Sequence, residues 1–169
     1  MSIPSNEMEL AELFRKLGAP DPEDWARSQV REGIPQLHRF LFLRQAWSDV
    51  LADGDTGWID GTVEDSTQNP TAPYAGLGQA LSRALESGAS REDLSEIVRS
   101  MQAHLLFRLC YRLEDPMFEE DELEDISWGL FQTDEGGDPV SEQICGLHES
   151  VLETDPTGRE MRPRDRRDA

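Results

Sequence analysis

From Ser90 to Leu113 the chain carries a pattern that only a long helix satisfies. Ser90, with Asp93 three residues later, is a helix-start signal. Leu94, Ile97, Val98, Met101, Leu105 and Leu109 then recur at helical spacing. Leu106, Phe107, Cys110 and Tyr111 spread the apolar character around the second half, and Pro116 ends the pattern. A segment so long and apolar has to be covered by other elements. The sequence therefore predicts a mainly α fold: a single-domain helical bundle of five to seven helices around a central helix at about 91–113.

The flanking segments supply those helices. Asn6 with Glu9, a stripe of Leu10, Leu13, Phe14 and Leu17, and Gly18 mark a helix from about Glu7 to Leu17. Asp21-Pro22 reads as an N-cap followed by proline at the first helical position, with Gly33 as the stop. Pro35 opens a helix expected to reach about Ala52 and to be deeply buried, because Leu37, Phe40, Leu41, Leu43, Trp47 and Val50 cover much of its circumference. A short helix around Trp58 and Val63, capped near Asp55 or Thr56, precedes the proline-restricted loop at 69–73. A helix from about Tyr74 to Glu86 follows, whose Gly76 and Gly78 predict a close approach to a neighbour or a frayed start.

Beyond Pro116 the character changes. Between Glu114 and Asp125 eight of twelve residues are acidic. Ile126 to Thr133 then reads as a strand, Gly136-Gly137 as a turn and Val140 to Cys145 as the returning strand. The spacing of Ile144, Leu147, His148, Val151 and Leu152 also permits a helix over 139–153. The favoured reading is a small C-terminal β-hairpin near 126–145 with a short helix at about Leu147 to Glu153. The single acidic domain spans 1–158, and 159–169 is expected to be a basic, loosely held tail. Gly146 to Pro163 mixes apolar anchors, turn residues and charges, and is expected to form a strap over the domain, with Arg159 and Arg162 pairing with its acids.

Charge narrows the partners. The chain has 16 basic and 35 acidic residues, a formal net charge of -19 and a pI near 4.3. Residues 1–158 hold 11 of the basic and 32 of the acidic groups, so the body carries -21. Such a body repels phosphate backbones and anionic membrane surfaces and attracts basic proteins. Direct nucleic-acid binding and membrane binding are not expected; a basic protein partner is. Cys110 and Cys145 stand alone, without metal-ligand spacing, and are expected to be reduced, largely buried thiols of a cytoplasmic protein. Met1 to Leu10 has neither the basic nor the apolar region of a signal peptide.

Three groupings invite a chemical reading. Asp53-Gly54-Asp55-Thr56-Gly57 puts Asp53, Asp55 and Glu64 at positions 1, 3 and 12 of a calcium loop. Gly57 stands where position 5 needs a ligand, however, and Trp58 where position 6 needs glycine. A helix stop followed by the next helix start is the favoured reading. His104, Arg108 and Arg112, four residues apart, form a stripe that could grip an anion or pair internally with Asp115 and the acids after it; internal pairing is favoured. Glu119, Glu120, Asp121, Glu122, Glu124 and Asp125 could dock a basic patch or form a solvated face. His38, His104 and His148 form no zinc motif, and no Walker loop, GxSxG or dinucleotide fingerprint occurs. No cofactor or metal is expected.

The leading functional expectation is a non-catalytic cytoplasmic binding protein of inhibitor, immunity or antidote type. One alternative is a nucleic-acid mimic that blocks a DNA- or RNA-binding protein. The other is a small helical enzyme or ligand-binding domain built on a His/Arg pocket. The candidate binding residues are His104, Arg108 and Arg112 for the pocket, and Asp115, Glu119, Glu120, Asp121, Glu122, Glu124 and Asp125 for the acidic surface.

Overall fold

In a computed structural model, which describes residues 3–164, the chain is mainly α with a small antiparallel hairpin near its C-terminus. Two compact units divide it: Met1–Asp49 with His104–Ala169, and Val50–Ala103. Among the described residues there are seven α-helices, the longest being α6, Arg91–Arg112.

In the first unit α1 (Glu7–Leu17), α2 (Pro22–Glu32) and α3 (Gln36–Trp47) begin and end where local chemistry directs. The Glu9 amide donates to Asn6 Oδ1 at 2.9 Å, Pro22 opens α2 behind Asp21, and Gly18 and Gly33 close their helices in the left-handed conformation. Phe14, Trp25 and Phe40 meet edge to face, with ring centroids 5.5–6.0 Å apart, at the centre of a cluster with Leu10, Ala26 and Leu37. Offset and edge-on arrangements suit the ring quadrupoles.

The third helix is shorter than its apolar pattern predicts. It stops at Trp47, because the Ser48 hydroxyl and amide both donate to the Gln45 carbonyl, at 2.6 and 3.0 Å. Asp49 N–H reaches Ala46 O in the same tightened fashion. A hydroxyl competing for the last carbonyls unwinds the helix.

The second unit holds α4 (Trp58–Gln68), α5 (Ala75–Glu86) and the first part of α6. Gly78 explains how α4 and α5 pack: a Cβ there would run into Ser66 and the Thr62 carbonyl, whereas Gly76 faces open space. The buried Ser66 hydroxyl donates to Ala75 O at 2.6 Å and fastens the same crossing. Trp58 Nε1 donates to Ser95 Oγ at 2.9 Å, and Arg99 Nη1 donates to Leu51 O at 2.6 Å.

The hairpin lies within the expected span but is shorter. Strands β1 (Phe131–Thr133) and β2 (Pro139–Gln143) pair antiparallel around a turn in which Asp134 accepts from the amides of Gly136 and Asp138. Residues 126–130 do not join β1, because Trp128 folds back and its indole donates to Arg112 O at 2.6 Å. Helix α7 (Leu147–Ser150) follows, so hairpin then helix is the arrangement over 139–153.

The C-terminal segment is indeed a strap, held by side chains from α2 and α3. Arg39 donates from Nε and Nη2 to Cys145 O at 2.9 and 2.6 Å. Trp47 Nε1 reaches Val151 O and Thr154 Oγ1, and Trp25 Nε1 reaches Glu153 Oε1 at 2.8 Å. Buried Asp155 accepts from the amide and hydroxyl of Thr157 and from the Met161 amide, and so fixes two successive non-glycine residues, Glu160 and Met161, at positive φ. Such conformations cost about 1–2 kcal/mol each and need this kind of support. Arg162 pairs with Glu160 at 2.7 Å, inside the strap. The end of the proposed tail, 165–169, lies outside the described residues.

Candidate functional site

The last turns of α6 and the segment that follows build the most distinctive surface of the first unit. After Arg112 the chain leaves the helix, turns at Met117 with φ 55, and makes one 3-10 turn at Asp121–Leu123. Asp115 Oδ1 accepts from the Met117 amide at 2.8 Å and sets that turn. A groove of about 560 Å³ results, with Phe107, Arg108, Tyr111 and Arg112 on one wall and Pro116 to Glu119 on the other.

Arg108 and Arg112 are exposed, and neither forms an ion pair among the described residues. The internal network expected to tie the acidic segment to the helix is therefore not formed through them. Their side chains instead stand along the groove. His104, also exposed, does not line it.

Asp115, Glu119, Glu120, Asp121, Glu122, Glu124 and Asp125 are all exposed. The acidic segment thus faces outward along nearly its whole length. Exposed among these acids lie Met117, Phe118 and Ile126, and Phe118 meets Trp128 edge to face at 5.6 Å. Aromatic, methionine and arginine side chains are the types enriched at the centres of protein interfaces, and a charged rim is the usual surround.

Glu114 is the exception among the acids, and sequence reasoning missed it. Its carboxylate accepts from the Leu147 amide at 2.7 Å, and His148 Nδ1 lies 3.2 Å away. Burial pushes this carboxyl up, but the amides of Gly146 and Leu147 and the His148 ring more than offset that and hold it below its ordinary value. His148 in turn packs edge-on against Phe107 and Tyr111, at 5.9 and 4.8 Å. The groove wall is therefore braced from behind by a carboxylate–imidazole pair. The only hint in the sequence was that Glu114 begins the acidic run while still adjoining the apolar helix.

The remaining candidates resolve into structure. Residues 58–64 belong to α4, so the stretch 53–64 is no calcium-binding loop; Asp55 Oδ1 accepts from the Gly57 amide at 2.8 Å, just ahead of the helix start. No group of three or more metal-ligating side chains gathers among the described residues. Of the two thiols only Cys110 is buried; Cys145 is exposed, because its backbone carbonyl is the part drawn inward by Arg39. Burial, and to a smaller degree the Glu114 charge, push the Cys110 thiol up to about 11. No helix of the described residues is long and apolar enough to cross a membrane.

The chain matches no protein-family model, no curated protein and no solved structure at a significant level.

Proposed function

We propose that this chain is a non-catalytic, cytoplasmic protein-binding module, of the inhibitor, immunity or antidote type, that docks a basic partner on the face built from the groove and residues 115–128. The observation that carries this reading is the outward display of seven carboxylates around the uncovered Phe118–Trp128 pair. Carboxylates at the rim steer a basic surface into register, and the aromatic pair supplies the desolvated centre. Two unpaired thiols fit a reducing compartment.

Capture from the native host's lysate at low and high salt tests it. The expected result is a basic protein retained at low salt and released at high salt. Retention should fall when Glu119, Glu120, Asp121 and Glu122 are changed together to Gln or Asn, and when Phe118 is changed to Ala. Capture that ignores both changes would sink the reading. A small-ligand site is the second reading, supported by the open Arg108 and Arg112 beside Phe107 and Tyr111. Its signature is a thermal shift with small anions that Arg108→Ala abolishes. The nucleic-acid mimic draws less support, since the acids lie on an irregular segment and not in a regular row.

A further inference from the structure

The groove beside the end of α6 carries the wrong charge for a surface that only receives a basic partner. Its walls, all from the 104–169 part of the first unit, hold the guanidiniums of Arg108 and Arg112 against the one carboxylate of Glu119. Both arginines are exposed and pair with no carboxylate among the described residues, so the groove keeps one net positive charge within a body of -21. Four residues apart on one helix, they stand about 6 Å apart along its axis and can close on one small anion from two points. The acids around them penalise a second negative charge, so charge complementarity selects a monoanion.

Much of the remaining lining is aromatic, and its rings are held in place. Phe107 and Tyr111 each precede one of the arginines, and His148 packs edge-on against both rings, at 5.9 and 4.8 Å. Glu114 steadies that imidazole from 3.2 Å. On the facing wall Phe118 meets Trp128 edge to face, and the Trp128 indole is anchored to Arg112 O at 2.6 Å. Phe107, Tyr111 and Phe118 all remain exposed. Rings already braced in this way lose little further freedom when a flat apolar body enters between the walls. At about 560 Å³ the groove also has the size of a small-molecule site.

We infer that the groove binds a small aromatic monocarboxylate, an inference that rests on the small-ligand reading of the same groove and names its ligand class. Arg108 and Arg112 grip the carboxylate through charge-assisted hydrogen bonds, and the ring lies between Phe118 and the Phe107–Tyr111 wall. A carboxylate fits better than a phosphate, because it brings one charge to the groove's one and its planar pair of oxygens matches the guanidinium fork. Glu119 opposes the ligand's charge. Neutralising it therefore strengthens binding, the reverse of its part in docking a basic partner.

Calorimetric titration of the intact chain with 2-naphthoate, 2-naphthamide, acetate and inorganic phosphate tests this. The expected result is 2-naphthoate bound one to one, at least about tenfold more tightly than the other three probes. Arg108→Ala and Arg112→Ala, both at exposed positions, should each weaken 2-naphthoate about tenfold with the helical signal retained. Phe118→Ala should weaken it about fivefold, and Glu119→Gln should tighten it. Acetate or phosphate binding as tightly as 2-naphthoate would leave an anion site and overturn the aromatic class. Equal binding of 2-naphthamide would overturn the grip of the arginines. No binding of any probe would overturn the inference together with the small-ligand reading. Capture of a basic partner should fall when Glu119 to Glu122 are neutralised, whereas 2-naphthoate binding should rise, so the docking reading and this one fail separately.

Discussion

The indole nitrogen of Trp47 donates to the carbonyl of Val151 at 3.0 Å, joining residues 104 positions apart in the sequence. The same N–H is shared with Thr154 Oγ1 at 3.2 Å, and the whole arrangement is buried. One side chain of α3 thereby ties down the C-terminal strap.

Trp47→Phe should accordingly cost about 2–3 kcal/mol, from lost volume and from the loss of the buried indole donor shared by Val151 O and Thr154 Oγ1. Trp25→Phe should lose a similar buried volume but about 1 kcal/mol less in hydrogen bonding, because its partner Glu153 is exposed and water can replace the indole. Urea unfolding followed by circular dichroism separates the two; equal costs would mean that the buried pairing at Val151 is not what holds the strap.

Gly146→Ala should be more damaging than Gly137→Ala. Both glycines have positive φ, 71 and 90, but a Cβ at Gly137 meets open space while one at Gly146 runs into the Arg39 guanidinium. Gly137→Ala should cost about 1 kcal/mol for conformation alone, and Gly146→Ala roughly 2 kcal/mol more as Arg39 loses its grip on Cys145 O. The comparison of unfolding midpoints is the readout.

Acid should loosen the brace behind the groove. Glu114 is held below its ordinary carboxyl range in the folded chain, so its contribution is complete above the unfolded value, 4.5, and is lost as pH falls through the lower folded value. Glu114→Gln should flatten the loss of stability as pH falls below the unfolded carboxyl value of 4.5, relative to the parent. An unchanged slope would remove Glu114 from the acid response.

Thiol chemistry should resolve the two cysteines. At about pH 8 the exposed Cys145 should react readily with a disulfide reagent, and Cys110, buried and pushed up to about 11, only after unfolding. Counting released thiolate with and without denaturant checks this, and Cys145→Ser should silence the native reaction.

Where the sequence carried its own punctuation, the elements were legible. Asn6 with Gly18, Asp21-Pro22 with Gly33, and Gly136-Gly137 fixed α1, α2 and the hairpin turn, because caps and turns are decided within a few residues. Helix α6 was legible as a helix, but its apolar residues were read as burial, and Ile97, Met101, Leu105 and Leu109 proved exposed. Periodicity reports which residues share a face, not what covers that face. The site was half legible. Arg108, Arg112 and Glu119 come together in the groove, yet the arginines do not pair with the acids after them. Glu114, Leu147 and His148 meet across more than thirty residues, a distance that no local pattern encodes.

The four tryptophans are distributed so that the unlabelled chain carries its own optical reporters. Trp25 and Trp47 are buried under the strap, Trp58 belongs to the Val50–Ala103 unit alone, and Trp128 is exposed beside Phe118. Indole emission shifts red as water reaches the ring. Single-tryptophan variants would therefore let strap release, melting of the second unit and occupation of the 115–128 face be watched as three separate colour changes.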